Sequence, residues 1–280
     1  MTPLEFTLIN LALSFCAGVI GALLGIGGGL IIVPALTLLL GIDIRYAIGA
    51  SIVSVIATSI GSSSTYLRKG ITNMRLAMFL EVATVAGAII GAFIAVIINA
   101  KWLYFVFCFT LLYLAYTMAR IKKKVHLMAE NSDNLALRLK LHSNYYDEAI
   151  EREIHYGVRH SGAGFAVSCL AGVGSGLLGV GGGFLKVPTM DAIMGVPIKV
   201  ATTTSNFMIG VTAAASAGVY FARGDIAPFI TAPVATGVIL GSLAGARILR
   251  HISSARLRYA FVTLLVWIAL GMFWKGMHVR

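Results

Sequence analysis

Two stretches of this chain carry the same unusual residues in the same order, Gly25-Ile26-Gly27-Gly28-Gly29 and Gly179-Val180-Gly181-Gly182-Gly183, and each is followed by a proline, Pro34 and Pro188. Both interrupt apolar runs. Glycine costs about 1 kcal/mol relative to alanine inside a helix, so glycine at this density marks a built break. A broken helix presents the unpaired N–H groups of a new helix start, and those groups, with the positive end of the helix dipole, favour anions. Lys186, three residues past the second cluster where the first has Ile32, would add a cation that balances substrate charge or carries a coupling proton. Ser51, Thr204, Ser205 and Asn206 would add the hydroxyl and amide donors that an oxyanion accepts. The candidate binding group is therefore Gly27, Gly28, Gly29, Ser51, Gly181, Gly182, Gly183, Lys186, Thr204, Ser205 and Asn206.

Each of these residues also has a plainer use. Glycines permit close helix packing in membranes, and hydroxyls bond between helices. Lys186 could partner Asp191 or extend to an interface, and Glu81, early in its apolar run, reads as an interfacial charge. Triple glycine followed by proline, twice at one repeat position, is more than packing requires.

Other chemistries fit poorly. A dinucleotide loop needs GxGxxG after a strand, but Leu30 occupies the third glycine position, and no GxxxxGK[ST] run exists. The three cysteines, Cys16, Cys108 and Cys169, lie in apolar surroundings without CxxC spacing, and the six histidines all fall outside the apolar runs. No cofactor, disulfide framework or metal centre is expected, and no apolar segment pairs a nucleophile with a base, so an enzyme is not expected either.

The elements that must position these residues are membrane spans. The chain is 58% hydrophobic and 12% charged with a mean hydropathy of +0.89; soluble domains are about a quarter charged. Its net charge of +11 sits in short loops beside apolar runs, a positive-inside pattern rather than a nucleic-acid footprint. The expected partners are a lipid bilayer and a small anion, with no nucleic acid. The first apolar run, lacking a basic leader, reads as a structural span rather than a cleaved signal.

Sliding the sequence on itself by 154 residues aligns 22–70 with 176–224 without a gap. The matches include Pro34 with Pro188, Gly41 with Gly195, Ser51 with Ser205, Thr58 with Thr212, Tyr66 with Tyr220 and Gly70 with Gly224. Each unit holds five apolar segments: 5–24, 28–41, 46–66, 76–98 and 101–119, then 161–179, 183–195, 200–222, 226–248 and 257–274. The second of each set falls short of the roughly 20 residues a crossing needs. Arg120, Lys122, Lys123 and Lys124 place the central loop in the cytoplasm, and counting outward puts Arg68, Lys69 and Arg75 there too. Arg247, Arg250, Arg256 and Arg258 join them only if the short segment counts as a crossing. The expected fold class is thus an all-α integral membrane protein of two inverted repeats, five segments each with short or broken helices at the glycine motifs, and both termini outside. Residues 1–120 and 161–280 form the repeats. Residues 121–160, with seven Lys/Arg and six Asp/Glu, read as a solvated cytoplasmic linker, with a helix over about 132–143 as plausible as an alternating pattern.

The run Gly179 to Pro188, reading GVGGGFLKVP, and Thr204-Ser205-Asn206 with the following Phe207-Met208-Ile209-Gly210 resemble the TauE/SafE family of membrane transporters, also called the sulfite or sulfonate exporter family. The resemblance covers essentially all the apolar sequence. It implies an inner-membrane transporter of sulfite, sulfonate, thiosulfate or related organic anions, in some members coupled to a proton or sodium gradient. Its glycine motif falls on Gly25–Gly29 and Gly179–Gly183 and its Thr-Ser-Asn on 204–206, where the first unit reads Ala50-Ser51-Ile52 and lacks the amide. The expectation is a secondary transporter in which one unit rocks against the other around a central anion. An anion channel using the same residues is the alternative; the anion's identity, the direction of transport and the oligomeric state stay open. Thiol labelling of single cysteines introduced at Arg68 and Arg250 should find both in the cytoplasm; opposite faces would overturn the inverted arrangement.

Overall fold

The computed structural model describes residues 2–24, 27–68, 70–120, 132–147, 151–248 and 254–278. Gly25, Lys69, Lys122, Lys123, Lys124 and Arg250 of the reading above lie outside the described residues. In chain order the elements are α1 (Pro3–Leu24), α2 (Gly29–Pro34) running into a π-helical turn (Ala35–Leu39), α3 (Ile44–Arg68), α4 (Met74–Ile97) and α5 (Ala100–Arg120). Then come α6 (Asn134–Arg138), β1 (Ser143–Asp147), β2 (Arg152–Tyr156), α7 (Ser161–Leu178), α8 (Gly183–Pro188) with its π-helical turn (Thr189–Ile193), α9 (Ile198–Ala222), α10 (Pro228–Ile248) and α11 (Ser254–His278). Six of the described helices, α1, α3, α4, α5, α7 and α10, are long and apolar enough to cross a membrane.

The internal repeat extends well past residue 70. α8, its π turn, α9, α10 and α11 begin at Gly183, Thr189, Ile198, Pro228 and Ser254, each 154 residues after the start of α2, its π turn, α3, α4 and α5. The π turns follow Pro34 and Pro188, whose missing N–H interrupts the regular ladder. Thr37 and Thr189 then donate their hydroxyls to the carbonyls of Val33 and Leu185.

The two units interleave. α3 packs on α9 and α5 on α11, whereas α1 packs on α10 and α4 on α7, so first and fourth segments exchange partners between units. α3 and α9 run antiparallel: Gly49 near the start of α3 lies against Asp225 just past the end of α9, and Ser59 further along donates to the Asn206 carbonyl at 2.6 Å. The α4–α7 seam is lined by glycine, with Gly87 and Gly91 facing Gly172 and Gly176. A methyl group on Gly91 or Gly172 would strike the backbone of Val173 or Thr84. Lipid supplies no hydrophobic drive between helices, so this close approach and its dispersion contacts hold the seam.

The short segment of the second unit runs back alongside α7. The Arg159 N–H donates to the Met194 carbonyl at 2.9 Å, so the chain leaving the π turn returns beside the start of α7. α8 contributes six residues and its π turn five, a rise of about 16 Å against a hydrocarbon core of about 30 Å. The segment expected to cross is thus the returning arm of a hairpin with α7. The face from which α9 departs is the same either way, which is why the loop-charge count is unaffected.

Residues 132–160 form more than a solvated connector. α6 is a helix of five residues, shorter than the 132–143 considered, and among the described residues the β1–β2 hairpin is the exception to a helical fold. Asn73 caps α4 by accepting from the Leu76 N–H, and its Nδ2 donates to the Leu141 carbonyl at 2.8 Å and to the Tyr156 hydroxyl at 3.0 Å. Leu141, Tyr145 and Tyr156 bury themselves with Leu76, Leu80 and Met194. Asp133 anchors the other side, accepting from the Ala136 N–H at 2.8 Å, the Ser161 N–H at 2.7 Å and the Ser161 hydroxyl at 2.8 Å. Burial works against the Asp133 carboxylate, but those donors and the nearby His160 outweigh it and hold its pKa below the usual value. A depressed folded-state pKa gives a contribution that is complete above the ordinary carboxylate value of about 3.9 and fades as pH falls through the depressed one. Asp133→Ala should cost about 1 kcal/mol per lost cap and raise amide exchange in α6 and the first turn of α7 at pH 7, with the difference from the parent shrinking in strong acid; unchanged exchange would remove Asp133 as the anchor.

Candidate functional site

α3 and α9 form the floor on which both glycine breaks rest. Val55 and Ile209, repeat partners near the middle of these helices, are fully buried. Gly27 has φ +80° and lies against the Ile209 and Val55 side chains; Gly181 has φ +75° and lies against the same two residues. A side chain at either position would meet the left-handed conformation and this floor at once. The two breaks therefore converge on one point in the middle of the bundle. They also touch each other's surroundings: the Ser51 hydroxyl donates to the Gly179 carbonyl at 2.7 Å, and a Cβ on Gly29 would come within 2.9 Å of that oxygen. Backbone that leaves regular helix geometry here is buried in protein, as lipid demands.

The other candidates are spread over several places. Gly28 and Gly182 cap α2 and α8, and Gly29 and Gly183 begin them. Ser205 and Asn206 are buried, and among the described residues the Ser205 Oγ and the Asn206 Nδ2 have no hydrogen-bond partner. Unsatisfied buried donors are rare and costly, so these two groups are suited to receive a ligand. Thr204 is further off, accepting from the Asn73 N–H at 3.1 Å at the foot of α4. Ser51 is occupied by Gly179, so its hydroxyl shapes the break more than it offers a free donor.

Lys186 is fully buried, and its partner is Glu81 rather than Asp191. Its Nζ donates to the Thr212 Oγ1 at 2.6 Å, that oxygen lies 2.6 Å from the Glu81 Oε1, and the Lys186 Nζ stands 3.9 Å from the Glu81 Oε2. Glu81 itself is 7% exposed, which corrects the interfacial reading: α7 and α9 cover it. The signal was present in the sequence, because opposite charges inside apolar spans pair with one another. Among the described residues no cluster of three or more His, Cys, Asp or Glu could hold a metal ion.

A polytopic helical membrane protein with two broken helices meeting at its middle is what this arrangement defines. The family model of the sulfite exporter TauE/SafE matches residues 10–272, and the chain belongs to that family. It is 26% identical over 280 residues to the probable membrane transporter protein YunE of Bacillus subtilis, covering 96% of this chain and 97% of that one. A probable membrane transporter protein of Haemophilus influenzae is 27% identical over 293 residues, covering 96% of this chain and 99% of its own, and one of Xylella fastidiosa is 24% identical over 258 residues, with 91% and 90% covered. No solved structure matches the chain.

The two capping glycines differ. Gly182 has φ +72° and a Cβ there would lie 2.8 Å from the Ala171 carbonyl, whereas Gly28 has φ −67° and nearest neighbours at 3.5 Å. Gly182→Ala should destabilise the purified protein by about 1–2 kcal/mol or more, read as a lowered unfolding temperature, and Gly28→Ala by far less. Equal effects would show that the two breaks are not built differently.

Proposed function

We propose that this protein is a secondary transporter that moves a small sulfur-containing or related organic anion across the cytoplasmic membrane by alternating access. The observation that carries the reading is the convergence of Gly27 and Gly181 on Val55 and Ile209, with the free donors of Ser205 and Asn206 on the same helix as Ile209. The helix starts at Gly29 and Gly183 would present N–H groups to the anion, and the Ser205 hydroxyl and Asn206 amide would complete its hydrogen bonds. Family membership and the transporter names of the relatives support the class, and the family's description points to sulfite as the substrate type.

The inverted relation of the two units is part of this proposal. It is supported by the antiparallel α3 and α9 and by the exchanged pairing of α1 with α10 and α4 with α7. In such a frame the hairpins α1–α2 and α7–α8 would approach the centre from opposite faces, and access would alternate as one loosens and the other tightens.

Purified protein in proteoliposomes, offered labelled sulfite, thiosulfate, taurine and sulfoacetate with carboxylate controls, should show saturable uptake of a sulfur anion and counter-exchange against the same anion inside. Ohmic, unsaturated conductance would make it a channel instead. Binding confined to the carboxylates would overturn the substrate class.

A further inference from the structure

The internal repeat acts as a control for the buried charges. Positions equivalent to Lys186, Thr212 and Glu81 in the other half are Ile32, Thr58 and Ala235, each 154 residues away. Ile32 and Thr58 are as buried as their counterparts. Equivalent positions of the two repeats thus hold an ion pair in one half and none in the other, with Ala235 half-buried where Glu81 is buried. Exchanging a buried pair for apolar residues is commonly neutral or stabilising, which makes its retention in one half a matter of function.

The pair is also incompletely satisfied. Thr212 bridges Lys186 to one carboxylate oxygen, while the other, Oε2, is buried, accepts no hydrogen bond and has only the ammonium at 3.9 Å. Thr212 lies one turn of α9 beyond Ile209, which Gly181 touches. Few other groups enter. Lys186, Thr212 and Thr84 are the side chains that reach Glu81. On the elements packed around it, α7 carries only the Cys169 thiol, α9 has Lys199 in its first turn and Tyr220 near its far end, Arg75 begins α4 and Asp191 lies on the π turn after α8.

We propose that Glu81 is the coupling group of the transport cycle, taking up a proton when the substrate anion engages Lys186. This rests on the transport reading above. In the empty site Lys186 is balanced by the Glu81 carboxylate. An arriving anion competes for the same ammonium, and the carboxylate, left buried without its cation, binds a proton at Oε2. One proton per anion keeps the site neutral with a monovalent anion and leaves a single negative charge instead of two with a divalent one such as thiosulfate, which limits the charge held in a low-dielectric centre. Anion and proton then travel together, and a proton gradient drives accumulation without ATP.

Two measurements on the full-length protein test this. The first needs no substrate: infrared spectra of Lys186→Met at neutral pH should contain the carbonyl band of a protonated carboxylic acid that is missing from the Glu81→Gln/Lys186→Met double variant. Identical spectra would overturn the proposal whatever the anion is. Both variants place uncharged residues where the other repeat already has Ile32 and Ala235, so folding is expected to survive. The second uses labelled thiosulfate, whose own charge is constant between pH 6 and 8. Its uptake by the parent protein should rise as external pH falls, approaching about tenfold per pH unit, and Glu81→Gln should flatten that slope. Equal slopes in both proteins would also overturn it. Absence of thiosulfate uptake in the parent would count against the sulfur-anion reading and leave the infrared comparison to decide the coupling.

Discussion

Everything in this molecule follows from one constraint: a backbone that leaves helical geometry inside a bilayer must find its hydrogen-bonding partners in protein, because lipid has none to give. The chain breaks its helices at Gly27 and Gly181 and pays for it by enclosing both breaks between α3 and α9, with Val55 and Ile209 as the floor and the Ser51 hydroxyl closing onto the Gly179 carbonyl. Only glycine allows the left-handed turns and the close approach together. The glycine-lined seam of α4 with α7 answers a related need, close backbone contact where lipid gives helices no hydrophobic drive to associate.

On this near-symmetric frame the chemistry is one-sided. Lys186 lies on the second hairpin and pairs with Glu81, and Asn206 and the free Ser205 hydroxyl lie on α9, while the equivalent positions of the other half are Ile32, Ala235, Ile52 and a Ser51 already bonded to the Gly179 carbonyl. A duplicated scaffold supplies two equivalent hairpins, and substitution has charged one of them.

Much of this could be read from the sequence, for identifiable reasons. The glycine clusters are legible because they disrupt apolar runs at a fixed repeat distance. The returning arm after Gly183 was harder, because a segment of that length is compatible with either a tilted crossing or half of a hairpin, and only the bond from Arg159 to Met194 decides. Glu81 was misplaced because position along a span says nothing about which helix covers it. The β1–β2 hairpin left almost no signal: its strands are short and polar, and Asn73, far away in the chain, holds them in place.

The exchanged pairing of α1 with α10 and α4 with α7 has a consequence for how the protein is made. Neither half of the chain can complete its own walls, since each lends its first and fourth helices to the other. The ribosome must therefore release a first half whose glycine seams are still open to lipid, and α1 waits for α10, more than 200 residues later in the chain. Assembly is a late, interlocking event, and a truncated chain lacking α10 and α11 would leave the first hairpin without its wall.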